Sequence, residues 1–411
     1  MLNSASQTAA SQTVRSRRPA TPDLDEVSDL VREAAYFPLF SVADPSTPSK
    51  PLPAPGNPNA LIGMQVHEQM HRFDILTAEP DIREGIRARN RVGEHVANIH
   101  IDWLVIPDNY IAKPGEAPPP TVLDPSRPQR FAMYNGQFEF LDSEKSGFHG
   151  FGAGRTFPVI EEGQPHLRIG AVVEILEGFG RFRGLQGNVV VNGYITPPSG
   201  LDLHILLRLV DPERRLKARS TPAPLRPFPA PDPGATFLMF LGEADPDNPI
   251  TLNMTPQGRV LGATVFERLR LVYSNFQAPA DGNLATRTEE GAIAGSLRFD
   301  LKVDSQDPRV PVPFTTSNAV FTFFDRRRKT VGTLNADIIE GRGFATDLPG
   351  APQPVLRMVG FGPFQNGTGP FAGVSGMLSV NGCISIPARR PSLSYSFRIA
   401  DPAGAFRQAC A

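Results

Sequence analysis

A ten-residue pattern, G-x-G-x-F-x-G-x-x-G, occurs twice in this chain, as Gly178-Phe179-Gly180-Arg181-Phe182-Arg183-Gly184-Leu185-Gln186-Gly187 and as Gly367-Thr368-Gly369-Pro370-Phe371-Ala372-Gly373-Val374-Ser375-Gly376. Each copy runs on into Val-Asn-Gly-x-Ile, at Val191–Ile195 and Val380–Ile384. Matching at fixed spacing over so many positions means that the chain is two copies of one unit. Outward from the motif, Arg155, Arg168 and Arg208 align with Arg342, Arg357 and Arg398, Asn135, Phe138, Phe140 and Asp142 with Asn318, Phe321, Phe323 and Asp325, and Glu68 with Glu267. The separation between mates drifts along the chain, so the copies differ in loop length. The proline-rich segment Ala112 to Gln129 is the plainest such insertion and reads as a surface loop.

Residues 1–59 read as disordered or linker, with a short amphipathic helix over 23–37 (Leu24, Val27, Leu30, Val31, Ala34, Ala35) closed by Pro38. The first unit spans 60–214, a proline-rich linker 215–234, and the second unit 235–411, beginning with a segment, Thr236 to Leu241, that has no clear mate in the first. Within each unit the period is two: Val189 and Val191 alternate with Asn188 and Asn192, Ile205, Leu207 and Leu209 with His204 and Arg208, and Tyr395, Phe397 and Ile399 with Ser394, Ser396 and Arg398. Such alternation predicts antiparallel strands with one face buried and the other wet. Glycine and proline clusters at hairpin spacing, and roughly eight short strands per unit, predict an all-β chain of two tandem antiparallel eight-stranded β-barrels.

The glycine motif precedes a strand and not a helix, so it lacks the helix N-terminus that a phosphate loop needs. Its glycines predict a tight turn, with Phe182 and Phe371 plugging the barrel end. A net charge of −1 gives no electrostatic footprint for nucleic acid or an anionic membrane. Arg326-Arg327-Arg328-Lys329 reads as a solvated hairpin tip. The two cysteines, Cys383 and Cys410, fit neither a disulfide scaffold nor a metal spacing. With no apolar run of spanning length and no leader pattern at the N-terminus, a cytoplasmic protein is expected.

A carboxylate falls on the apolar face of the first strand in each unit. Met64, Val66, Glu68 and Met70 share one face, as do Ala263, Val265, Glu267, Leu269 and Leu271. Desolvation there would raise the carboxyl pKa and make Glu68 and Glu267 candidate general acids or bases. The alternative is a buried ion pair with one of the repeated arginines. Trp103 and Tyr134 are candidates to line the interior, with core packing as the other reading. His67 and His71 share a face but stand about 13 Å apart by strand rise, too far to chelate one metal. His100 and Asp102 lie opposite Ile99 and Ile101 and are expected to face solvent. No metal site is expected.

Pro354-Val355-Leu356-Arg357-Met358, the glycine turn at Gly367–Gly376 and the alternating strand Leu393-Ser394-Tyr395-Ser396-Phe397 together resemble the C-terminal half of an allene oxide cyclase-like barrel. Dirigent-type barrels share a similar turn. The resemblance implies an eight-stranded antiparallel barrel with an apolar lumen and a glutamate on its first strand, matched here by Glu68 and Glu267. It also implies cofactor-independent cyclisation or isomerisation of an apolar, polyketide- or lipid-derived intermediate, with Met64, Val66, Met70, Trp103, Tyr134, Phe138 and Phe140 against the substrate. A carrier that holds an apolar small molecule without turnover, and a structural or assembly module with packed lumens, fit the same residues. Plant members are single barrels that assemble as trimers, so homo-oligomerisation stays open for this fused chain.

Overall fold

The period-two segments form strands in the computed structural model, which describes residues 34–161, 164–196, 200–218, 222, 224–228, 234–257, 259–277, 284–304, 311–347, 355–385 and 390–408. The first unit contributes β1 (Ala35–Ala43), β2 (Lys50–Ala54), β3 (Asn57–Thr77), β4 (Ala88–Ile106), β5 (Gln129–Phe140), β6 (Gly147–Glu161), β7 (Gln164–Phe179), β8 (Gln186–Thr196) and β9 (Gly200–Val210). The second contributes β10 (Ala235–Ala244), β11 (Thr251–Met254), β12 (Val260–Phe276), β13 (Thr286–Val303), β14 (Val312–Phe324), β15 (Thr330–Asn335), β16 (Glu340–Thr346), β17 (Val355–Pro363), β18 (Asn366–Gly367), β19 (Gly376–Ser385) and β20 (Arg390–Ala400). Among the described residues, helix is confined to two three-residue 3-10 turns, Gly180–Phe182 and Gly369–Phe371.

All pairings between these strands are antiparallel, and each sheet returns on itself. The first runs β1-β9-β8-β7-β6-β5-β4-β3, and β3 pairs back with β1; β2 is added outside this cycle, along β3. In the second, β10 pairs with both β20 and β12, and the cycle passes through β19, β17, β16, β14 and β13. The closing strand of the first unit is a correction to the sequence reading. Residues 35–37, expected at the end of a helix, and much of the expected linker up to residue 59 are strands β1, β2 and the start of β3. Residues 1–33, with the rest of that helix and the expected disorder, lie outside the described residues.

The physical reason lies in the run Ala-Tyr-Phe-Pro-Leu-Phe. Phe37 and Leu39 enter the interior of the first sheet while Tyr36 and Phe40 join a second apolar cluster outside it, so both faces of β1 are buried. A strand buried on both faces reads as a continuous apolar run and conceals its period. β1 is also the missing mate of β10: Tyr36 lies opposite Arg208 as Phe237 lies opposite Arg398. Parts of the expected 215–234 linker are likewise packed, with Leu216 in the first core and Leu225 buried against Gly93. The 112–129 insertion is irregular up to β5, as expected.

Asn135 and Asn318 explain a switch of parity within a strand. Both have a left-handed backbone, with φ of 51° and 55°, a conformation that asparagine tolerates better than most residues. Each amide donates to an aspartate on the neighbouring strand, Asn135 to Asp102 at 2.8 Å and Asn318 to Asp300 at 2.9 Å. The resulting bulge lets Met133 and Phe138 both point inward although their numbers differ in parity. It also sends Tyr134 outward. Tyr134 packs with Tyr110 against Ile106, Ala132 and Phe151 on the outside, which corrects its assignment to the interior.

The repeated glycine turn forms as expected. Gly180 and Gly369 have φ of 58° and 61°, and each turn drops its phenylalanine into a core, Phe182 beside Phe37 and Phe140, and Phe371 beside Phe323 and Phe406. Each leads into a strand, β8 or β19. The basic run 326–329 is an exposed hairpin tip, with Arg326 bonded to Glu79 of the first unit at 2.6 Å.

The polar faces of β7–β9 and of β17, β19 and β20 are not wet. They meet one another across a pseudo-two-fold axis. Arg168 donates to the Gly376 carbonyl at 2.9 Å, and its mate Arg357 donates to the Gly187 carbonyl at 2.7 Å. Asn192 donates to the Met377 carbonyl at 3.1 Å, and Asn381 to the Asn188 carbonyl at 3.0 Å. Arg208 reaches Cys383 Sγ at 3.0 Å, while Arg398 lies 3.7 Å from the ring centroid of Tyr194, the mate of Cys383. An alternating pattern distinguishes polar from apolar faces, and here the polar face is buried against its own image.

The units also close one another. Phe276 and Leu284, beside the β12–β13 connection, belong to the core of the first unit, and Ile86 and Ala88, beside the β3–β4 connection, to that of the second. The bridges Lys217–Thr286 and Ala88–Arg407 repeat this exchange on the backbone. Phe276 stacks edge-on with Phe37 and Phe140 at 5.3 and 6.2 Å. Phe276→Ala, a change in the second unit, should therefore lower the stability of the whole chain by about 3–5 kcal/mol. Denaturant unfolding followed by Trp103 fluorescence, which reports on the first unit, would reveal that loss as a lower midpoint.

Candidate functional site

Glu68 on β3 and Glu267 on β12 both point into the interiors of their sheets, at 2% and 0% exposure. Their strand neighbours Val66 and Met70, and Val265 and Leu269, lie in the two cores. The expected facing is observed; the ion-pair alternative is not. Arg168, Arg208, Arg357 and Arg398 occupy the outward face between the units, and Arg155 pairs with Asp108 and Glu340. Among the described residues no arginine meets either glutamate, because the arginines and the glutamates sit on opposite faces of the sheets.

The two carboxyls differ in their surroundings. Tyr395 of β20 donates its hydroxyl to Glu267 Oε2 at 2.8 Å, while Glu267 Oε1 accepts no hydrogen bond. Gly242 of β10 makes the space, since a Cβ there would collide with Glu267 Oε2. In the first unit the equivalent positions are Ser41 and Ile205, opposite Met70 and Tyr36's neighbour Leu39 respectively. Ser41 Oγ accepts from the Leu203 amide at 2.9 Å, and Ile205 offers Glu68 no hydroxyl.

Burial pushes the Glu267 carboxyl up to about 8, opposed only by the Tyr395 hydrogen bond. Burial also pushes Glu68 up to about 8; Asp44 and Asp202 add to the rise, and a Ser49 hydrogen bond opposes it. Each is thus held as a neutral acid at pH 7. The Tyr395 phenol is raised well above its ordinary range, first by burial and then by Glu267.

Val66, Met70, Trp103, Phe138 and Phe140 are buried in the first core, with Met64 half-buried against it. They pack on one another: Trp103 meets Phe131 at 5.2 Å, and Phe138 meets Phe140 at 5.0 Å. Inside the first sheet a cavity of about 20 Å³ remains between Ile99, Met133, Phe138, Phe148, Val191 and Ile205. Inside the second a cavity of about 20 Å³ is bounded by Phe299, Phe314, Phe321, Met358, Leu393 and Tyr395. Either is space for about one water molecule, and neither wall includes the carboxyl itself.

Among the described residues no three His, Cys, Asp or Glu side chains converge on a metal position, and no helix is long and apolar enough to cross a membrane. Tyr395 and Gly242 are the site residues that sequence reasoning missed. The inward parity of Tyr395, with Ile205 as its mate, was the available sign. Comparison with protein-family models, curated proteins and solved structures finds no match.

The raised carboxyl makes stability depend on pH. Folded Glu267 keeps its proton to about pH 8, while the unfolded chain releases it near the ordinary 4.5. Its contribution is therefore whole below pH 4.5 and is lost as pH rises through about 8, an effect on the order of 4–5 kcal/mol at about 1.4 kcal/mol per unit. Between pH 5 and 9 the Tm of Glu267→Gln should fall less than that of the wild type, and the variant should be the more stable protein at pH 9. Glu68→Gln should flatten the remaining slope, and thermal scans at several pH values measure both.

Proposed function

We propose that this chain is a tandem barrel protein of the allene oxide cyclase-like type whose interiors are packed cores, and that it acts as a non-catalytic assembly or binding module through its outer surface. The size of the interior spaces carries this reading. A site that folds a polyketide- or lipid-derived chain for ring closure, or carries one, needs about 300–1,000 Å³, whereas the cavity found among the described residues of each sheet is about 20 Å³. The repeated interface arginines, asparagines and turn glycines have structural roles in both copies.

The Glu267–Tyr395 pair favours a second reading, a cofactor-independent cyclase or isomerase working in the second unit. A neutral carboxyl hydrogen-bonded to a phenol that borders an apolar cavity is an arrangement suited to a general acid. It would require the phenylalanines around Tyr395 to move apart before a substrate entered.

Titration of the purified chain with cis-parinaric acid, an apolar fluorescent probe, separates the two. The assembly reading expects no saturable binding and no apolar small molecule released on solvent extraction. One probe bound per chain, lost in Ala336→Phe, which fills the second cavity, would overturn it in favour of the second reading.

A further inference from the structure

We propose that His67 and His100 form a metal site on the outer face of the first sheet, taking Zn²⁺ or another divalent ion that prefers imidazole between their Nδ1 atoms. The two residues are direct cross-strand partners on β3 and β4, and their Nδ1 atoms are 3.2 Å apart. Zinc bound to two imidazoles at about 2.0–2.1 Å in tetrahedral geometry places those nitrogens roughly 3.3 Å apart. The rings are tilted by 44° with centroids 4.4 Å apart, so both Nδ1 atoms border one point outside the sheet.

Access and orientation fit the same role. The His100 side chain is 40% exposed, which leaves room for water to complete the coordination. Its other nitrogen, Nε2, lies 4.0 Å from Asp102 Oδ1, a buried oxygen that accepts no hydrogen bond, while Asp102 Oδ2 is held by Asn135. A carboxylate behind the far nitrogen of a metal-binding imidazole fixes its tautomer when the two hydrogen-bond; at 4.0 Å Asp102 stands on that side of His100 just beyond such a bond.

The site belongs to the first unit alone. The mates of the two histidines are Phe266 and Arg298, themselves cross-strand partners, and Arg298 spends its charge on Asp300 at 3.2 Å. Among the described residues no third carboxylate, thiolate or imidazole converges on the pair. Two imidazoles and water suit an exchangeable ion better than a permanently held structural one.

Calorimetric titration of zinc chloride into the chelator-treated full chain tests this. One ion per chain is expected, with affinity reduced at least tenfold in His67→Ala and in His100→Ala, and unchanged in His95→Ala, a partly exposed histidine elsewhere on β4. Circular dichroism of the variants without zinc distinguishes a lost ligand from a lost fold. No uptake at millimolar zinc, or equal uptake by the His67→Ala/His100→Ala double variant, would overturn the proposal and leave the pair as a simple N–H···N hydrogen bond.

Discussion

Two buried arginines, Arg168 and Arg357, each donating to a backbone carbonyl of the opposite unit, hold the arrangement on which the rest of the molecule depends. A guanidinium taken out of water needs its donors satisfied. Here the partners are carbonyls at the start of β19 and β8, the strands that follow the glycine turns. The turn, the strand after it and the arginine one strand away are therefore a single device used twice. Its geometry requires two surfaces of the same shape facing each other, which explains why asparagines and arginines persist in both copies while the loops between them drift. The apolar contacts Phe73, Ile75, Phe237, Val359 and Phe361 fill the space around these bonds.

Much of this was legible in the chain. The repeat, the strand period, the inward glutamates and the plugging phenylalanines follow from residue type and spacing, and Glu68, Glu267, Phe182 and Phe371 stand where that spacing puts them. What spacing conceals is partnership. Asn192 and Arg208 alternate with apolar residues whether their face meets water or another sheet, so the buried interface read as a wet one. Likewise β1 gave no period because both its faces are covered, and Tyr134 was misplaced because a single left-handed Asn135 reverses parity. His67 and His100 are 33 residues apart, and only the β3–β4 register joins them.

The interior of each sheet holds a carboxyl group among apolar side chains. Glu267 has one oxygen satisfied by Tyr395 and room made for it by Gly242, while its other oxygen is buried without a hydrogen bond. Its first-unit counterpart lacks both aids and leans on Ser49 instead. The copies differ inside the sheets at Tyr395 and Ile205, on the outer face at His100 and Arg298, and at their mutual interface at Cys383 and Tyr194.

The exchange of Phe276 and Leu284 for Ile86 and Ala88 has a further consequence for motion. An end of either ring cannot loosen without withdrawing side chains from the other, so fraying at one rim propagates to the second core. The halves should then behave as one cooperative body, with few partly open states in which a bare strand edge could recruit a neighbouring molecule.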